Sequence, residues 1–204
     1  FQPNHYNTFT ILSVNGNSLY ERTKEDALKE EQSNYGRRKN KQHTIGVNYR
    51  KIWNQSSFSN TSISQSNQRA DAQFLDYNSG SITSMANNQL KSSSIRQINQ
   101  TSFSNNLSSE YGFEFTSKSL QYDFLLNELS ASQDVSITNS AVFTTFRYLI
   151  ASKFLVSTGL RVESNDFEDD FFYAPRINAK YNLNDGGSAL IYNAGQYYQN
   201  PPEI

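Results

Sequence analysis

Residues 176 to 198 alternate polar and apolar side chains, break at Asn184-Asp185-Gly186-Gly187, and then alternate again. A period of two marks a β-strand with one covered face, because successive side chains of an extended chain point in opposite directions. Two such runs joined by a glycine-containing turn read as an antiparallel hairpin. Ile177, Ala179, Tyr181 and Leu183 share one face; Arg176, Asn178, Lys180 and Asn182 share the other. The partition recurs upstream. Phe154, Val156, Thr158, Leu160 and Val162 oppose Ser157, Gly159, Arg161 and Glu163, while Val142, Thr144, Phe146, Tyr148 and Ile150 oppose Ala141, Phe143, Thr145, Arg147 and Leu149. His43, Ile45, Val47 and Tyr49 likewise oppose Gln42, Thr44, Gly46, Asn48 and Arg50. Each strand thus offers one face that water solvates poorly and one rich in charge and amides.

Nine strands fit this template, near residues 6–20, 42–53, 57–68, 91–105, 109–127, 135–149, 153–165, 172–183 and 188–198. Their connections are expected to alternate. Short ones fall at 54–56, 105–108, 150–153 and 184–187, and long polar ones at 24–41, 71–90, 127–134 and 165–170. The spacing predicts an all-β, up-and-down antiparallel transmembrane β-barrel, with tight turns at one rim and long loops at the other. A soluble β-sandwich also alternates along its strands. It accounts less well for strands this long, for the loop rhythm, and for aromatics flanking the apolar segments. Two stretches, 57–67 and 92–105, are so rich in Ser and Asn that their facing is ambiguous, and Phe124-Leu125-Leu126 is apolar on both sides.

Composition narrows the function classes. Only 18% of the 204 residues are charged, yet the mean hydropathy is -0.70, so the polarity comes from uncharged Asn, Ser, Gln and Thr. Aromatics make up 14%, an enrichment expected where rings sit at a boundary between water and an apolar phase, and it argues against disorder. A net charge of -1 and a pI near 6.2 give no footprint for nucleic acid. The absence of cysteine excludes a disulfide framework, a thiolate metal site and a cysteine nucleophile. No apolar run approaches the roughly 20 residues of a membrane-spanning helix, so a membrane would have to be crossed by strands.

The run FLVSTGLRVESNDF, followed by YAPRINAKYNLNDGGSALIYNAGQYYQNPPE, resembles the barrel of TonB-dependent outer-membrane receptors, especially those of Bacteroidetes-type bacteria. The resemblance rests on a strand ending Gly-Leu-Arg-x-Glu (Gly159 to Glu163), a returning Ala174-Pro175-Arg176 strand, and a closing Gly-x-x-Tyr-x-x-Pro (Gly195, Tyr198, Pro201). Tyr111 to Phe115, YGFEF, is similar to an earlier family strand. The similarity covers Tyr111 to Glu203 by motif and the first half by rhythm. It implies a bacterial outer-membrane location and a barrel of about 22 strands, of which residues 1–204 supply a partial wall without the plug domain. It further implies uptake of a scarce nutrient (siderophore, vitamin, glycan or peptide). The implied partners are outer-membrane lipid, a TonB-type energy-coupling protein acting through the plug, and a surface lipoprotein or other outer-membrane protein. The alternatives are a non-transporting scaffold or adhesin barrel, and a small self-contained barrel or sandwich.

No nucleophile elbow, phosphate-binding loop or HExxH motif is present, so no catalytic residue and no cofactor is assigned. Arg50, Arg147, Arg161, Glu163, Arg176 and Lys180 are the lumen-facing candidates, expected to hold a plug rather than to touch substrate. Asp166, Glu168, Asp169 and Asp170 form an acidic loop that offers carboxylate oxygens to Ca²⁺, but without the spacing of a calcium loop the expectation is a solvated loop and no metal. Residues 24–41, acidic then basic, read as a hydrated loop with a helical turn capped by Thr23; Arg37, Arg38, Lys39 and Lys41 are candidates for lipopolysaccharide contact. His5 and His43 have no second ligand at metal spacing.

Overall fold

The computed structural model describes residues 6–127, 129–151, 153–166, 168–184 and 187–198. They form nine strands: β1 (Asn7–Arg22), β2 (Asn34–Asn54), β3 (Ser57–Asp76), β4 (Ile82–Ser102), β5 (Leu107–Leu126), β6 (Leu129–Ile150), β7 (Phe154–Asn165), β8 (Glu168–Asn184) and β9 (Ser188–Gly195). A short helix, α1 (Lys24–Lys29), links β1 to β2. Every strand pairs antiparallel with its sequence neighbours, giving a single sheet in the order β1 to β9 whose two edges do not meet. Among the described residues no second layer covers it. Among the described residues the buried apolar ones are Ala27, Ala141 and Ala174, and none with a large side chain is fully buried. The sandwich alternative is thereby removed, since it needs an interior between two sheets.

The strands are longer than their alternation predicts, and the four long loops shrink accordingly. β2 begins at Asn34, β3 continues to Asp76, β4 begins at Ile82 and β6 at Leu129. Only Thr23 to Ser33 remains a sizeable connection, and α1 occupies half of it. The reason is that pairing does not need a greasy face. Once β2 to β6 are aligned over their apolar parts, the same ladder continues through Asn, Gln and Ser, satisfying each backbone N–H and C=O in turn.

Cross-strand register sorts the side chains into two faces. Ile11, Val47, Ile63, Ile95 and Phe115 lie directly opposite one another in a single row, and Phe113, Val142, Val162 and Tyr173 in the next. Further along, Ile150, Phe154, Tyr181 and Leu190 align. Phe9 stacks on Tyr49 at 4.5 Å, and Phe154 meets Tyr181 edge-on at 6.3 Å, cross-strand aromatic pairs that stiffen the sheet. The apolar band crosses the sheet obliquely. Its centre on β2, Val47, shares a row with Ser140 of β6, whereas its centre on β9, Tyr192, shares a row with Tyr148. That offset of eight residues over seven strand steps corresponds to a slope of about 40° at ordinary strand spacing and rise. Membrane barrels tilt their strands by about 35–45°.

The rim beyond the band is fastened by local capping. Thr23 caps α1 in a reciprocal box with Asp26: the Thr23 hydroxyl accepts from the Asp26 N–H at 3.1 Å, and the Asp26 carboxylate accepts from Thr23. At the β3–β4 turn the Asp76 carboxylate accepts from the Asn78 N–H (3.0 Å), the Ser79 N–H (2.8 Å) and the Ser79 hydroxyl (2.9 Å). Gly80, at φ +71°, supplies the left-handed residue that closes the turn. The Ser79 hydrogen bonds hold the Asp76 carboxyl below its ordinary range. A depressed carboxyl pKa means the turn is held in place above the ordinary carboxylate range and is released as pH falls through the depressed value. Asp76→Asn is therefore expected to speed amide exchange at Asn78 and Ser79 near neutral pH, and the difference from the parent protein is expected to vanish in acid.

Candidate functional site

Opposite the apolar band, β4 to β8 present a face of charge. One register row runs Thr8, Arg50, Asn60, Ile98, Gly112, Phe143, Arg161 and Ala174; the next runs Thr10, Asn48, Ser62, Arg96, Glu114, Ala141, Glu163 and Phe172. A third brings Glu110, Thr145, Gly159 and Arg176 together. All six charged residues expected on a common face stand on it: Arg50 on β2, Arg147 on β6, Arg161 and Glu163 on β7, and Arg176 and Lys180 on β8.

The structure joins some of them through residues that alternation alone did not single out. Glu114 on β5 receives Arg96 from β4 at 2.7 Å and Arg161 from β7 at 2.6 Å, and Arg161 also pairs with Glu163. Reaching Glu114 from β7 means crossing β6. Small Ala141, directly between Glu114 and Glu163, leaves the guanidinium that passage, and the Phe143 ring flanks it, with Arg161 at 5.8 Å and Arg96 at 6.0 Å from its centroid. Phe143 in turn needs a bare floor. It lies opposite Gly112, where an added Cβ would stand 2.9 Å from the ring and 2.0 Å from the Gln97 carbonyl oxygen. Lower on the face Arg147 pairs with Glu110 at 3.8 Å. Arg50 lies over Phe58 at 4.4 Å and Arg176 over Tyr197 at 4.6 Å.

Arg96, Glu110 and Glu114 are thus the functional-face residues that sequence reasoning missed. A signal existed for two of them, since the run Glu110 to Phe115 places Glu110, Gly112 and Glu114 at one parity and Tyr111, Phe113 and Phe115 at the other. Arg96 sits in a stretch of Ser, Asn and Gln, and only its pairing with Glu114 fixes its side.

Toward the α1 rim the two faces exchange character. Outward from Ile45, Ile63 and Ile95 the formerly apolar face carries Lys41, His43, Gln65, Asn67, Arg69, Gln89 and Lys91, while the charged face becomes Ala70, Ala72, Phe74, Leu90, Leu120, Tyr122 and Phe124. Tyr122 and Phe124 stack at 6.1 Å. The run Phe124-Leu125-Leu126 falls in this inverted zone.

The acidic residues 166 to 170 do not form the expected loop. Asp166 ends against β6, accepting from the Thr138 N–H at 2.7 Å, and Glu168, Asp169 and Asp170 open β8. Among the described residues no group of three His, Cys, Asp or Glu side chains converges as a metal site. His43 contacts Asn15, and His5 lies outside the described residues.

The family model for TonB dependent receptor-like β-barrels matches residues 1–203, virtually the whole chain. A search of curated proteins gives no match. A tilted up-and-down sheet with one apolar and one charged face, matched from end to end by that family, places the protein in the bacterial outer membrane as a receptor and transporter rather than an enzyme. The chain belongs to the TonB-dependent receptor family and forms part of its β-barrel.

Proposed function

We propose that this wall section carries its apolar band against hydrocarbon and its charged face toward the water-filled, plug-containing interior of a receptor that imports a scarce nutrient using energy relayed by TonB. The observation that carries this reading is the separation of the two faces: the band's large apolar side chains are exposed on eight of the nine strands and half-exposed on β4, at Ile95, and among the described residues every ion pair bridging β4 to β7 lies on the other side. Such a band in contact with water would be a severe aggregation hazard, whereas lipid solvates it without cost. The unpaired backbone of β1 and β9 would meet further strands of the same barrel.

The charged face does two jobs in this reading. Glu110, Glu114 and Glu163 neutralise Arg96, Arg147 and Arg161 locally and keep the wall rigid. Arg50, Arg176 and Lys180 have no carboxylate partner among the described residues and are left to hold acidic groups of the plug. Tyr122, Phe124, Leu120 and Leu90, beyond the band on the same face, would be met first by a nutrient entering from outside, and favour a ligand with an apolar surface such as a siderophore, vitamin or peptide over a bare ion. A surface lipoprotein covering that mouth would be a further partner.

Neighbouring residues of β8 test the facing. In a full-length receptor without other cysteines, Asn178→Cys is expected to react with a membrane-impermeant maleimide in intact cells, and Ile177→Cys only after denaturation; the reverse pattern would remove the reading. Uptake is tested by growth of receptor-deleted cells on limiting iron, vitamin, glycan or peptide sources. A defect confined to one source, rescued by the gene only when TonB is present, identifies the substrate class.

A further inference from the structure

Above the apolar band, the lipid-side face of β2 to β4 gathers cations with few anions to answer them. Lys41 stands directly opposite Arg69 across the β2–β3 ladder, an arrangement of like charges that is unfavourable unless an anion joins it. Lys91 on β4 lies opposite Asn67, one position diagonal to Arg69, and Lys39 lies two residues from Lys41. All four are exposed. The single carboxylate on this patch, Asp71, is taken by Arg69 at 2.9 Å; Lys39, Lys41 and Lys91 have no ion pair among the described residues. Amide side chains fill the space between, with Gln89 donating to Asn67 at 3.1 Å, around a shallow depression of about 480 Å³. On the same face of β5 and β6 the corresponding level carries Ser119, Gln121, Asp123 and Asp134, so the positive charge is local to three strands.

Height decides what the patch meets. Lys41 and Lys91 each lie four residues beyond the residue that ends the apolar band on their strand, Ile45 and Ile95. On strands tilted as here that is about 10 Å along the membrane normal, the depth of lipid headgroups rather than of hydrocarbon or bulk water. Of the four cations grouped from sequence, Arg37 shares the face of Lys39 and Lys41 but stands higher, between Glu21 and Gln73, and Arg38 is on the opposite face and does not contribute.

We propose that Lys41, Arg69 and Lys91, supported by Lys39, form a binding site for a phosphate group of a phosphorylated outer-leaflet lipid, which seats the receptor in its membrane. The site rests on the facing proposed above. Lys41 and Arg69 line the depression and Lys91 stands next to it opposite Asn67, a grouping of two lysines and a guanidinium that suits a tetrahedral dianion, and Asn67 and Gln89 offer neutral donors to its sugar.

The test uses full-length receptor in detergent micelles, probed with bis-phosphorylated lipid A, the same lipid stripped of its phosphates, and inorganic phosphate. The parent protein is expected to retain phosphorylated lipid A in native mass spectrometry, and the combined Lys41→Gln, Arg69→Gln, Lys91→Gln variant to bind it at least about tenfold more weakly. Lys51→Gln, at the opposite rim, is expected to bind as the parent does. Equal retention of the dephosphorylated lipid, unchanged binding by the triple variant, or equally tight capture of inorganic phosphate would each overturn the proposal. A nitroxide at Ile45→Cys, read in proteoliposomes, separates the two levels of inference. A lipid-buried probe with unchanged triple-variant binding refutes the phosphate site alone; a hydrated probe refutes the facing beneath it.

Discussion

Phe113→Arg is expected to destabilise the receptor in its membrane by about 2–4 kcal/mol, whereas Thr116→Arg, three residues along β5 on the other face, is expected to cost under about 0.5 kcal/mol. Phe113 sits mid-band, opposite Val142 and Gln97, with no protein layer above it. A guanidinium there can reach neither water nor a carboxylate without bending the bilayer or dragging the strand outward. Thr116 neighbours Glu114 on the charged face, where an added cation remains hydrated and has an anion nearby. The check is urea-driven unfolding from lipid vesicles for both variants, with outer-membrane abundance as a cellular counterpart. Similar losses for the two would mean that both faces meet the same medium, and the wall reading would fail.

How far this was legible in the sequence depends on what each stretch must satisfy. Where one face meets hydrocarbon, as along Phe154 to Val162 and Ile177 to Leu183, alternation is enforced by solvation and both strand and facing can be read directly. Beyond the band that enforcement stops. Asn34 to Lys41 and Arg69 to Asp76 look like loops because no apolar parity marks them, yet they are strands because the register begun below carries on upward. The exchange of face character at Ile45, Ile63 and Ile95 compounds the difficulty, since a reader following parity finds Leu90, Leu120 and Phe124 on what had been the polar side. Thr23 was legible because its capping chemistry is local. The hub at Glu114 was not, because it depends on Arg96 and Arg161 arriving from strands on either side, and nothing within YGFEF announces either partner.

That hub makes a second large effect measurable. Glu114→Ala leaves Arg96 without its carboxylate and Arg161 with Glu163 alone, and Arg161→Ala leaves Glu163 without its partner and Glu114 with Arg96 alone. The side chains of Glu114 and Arg161 are 25% and 24% exposed, so water screens the pair in part, and each truncation is expected to cost about 1–2 kcal/mol rather than the 3–5 kcal/mol of a dry buried pair. The double variant should cost less than the sum of the two by about 1 kcal/mol, because both truncations break the same Glu114–Arg161 bridge and it can be lost only once. Glu110→Ala combined with Arg161→Ala is the comparison: Glu110 pairs with Arg147 instead, and these two losses should simply add. Additivity in the Glu114 cycle would mean that the Arg161 bridge across Ala141 carries no energy. The size of the coupling also bears on function. A wall whose own ion pairs are rigid leaves Arg50, Arg176 and Lys180 as the cations available to a plug, so Arg176→Ala should loosen plug retention while leaving the Glu114 coupling intact.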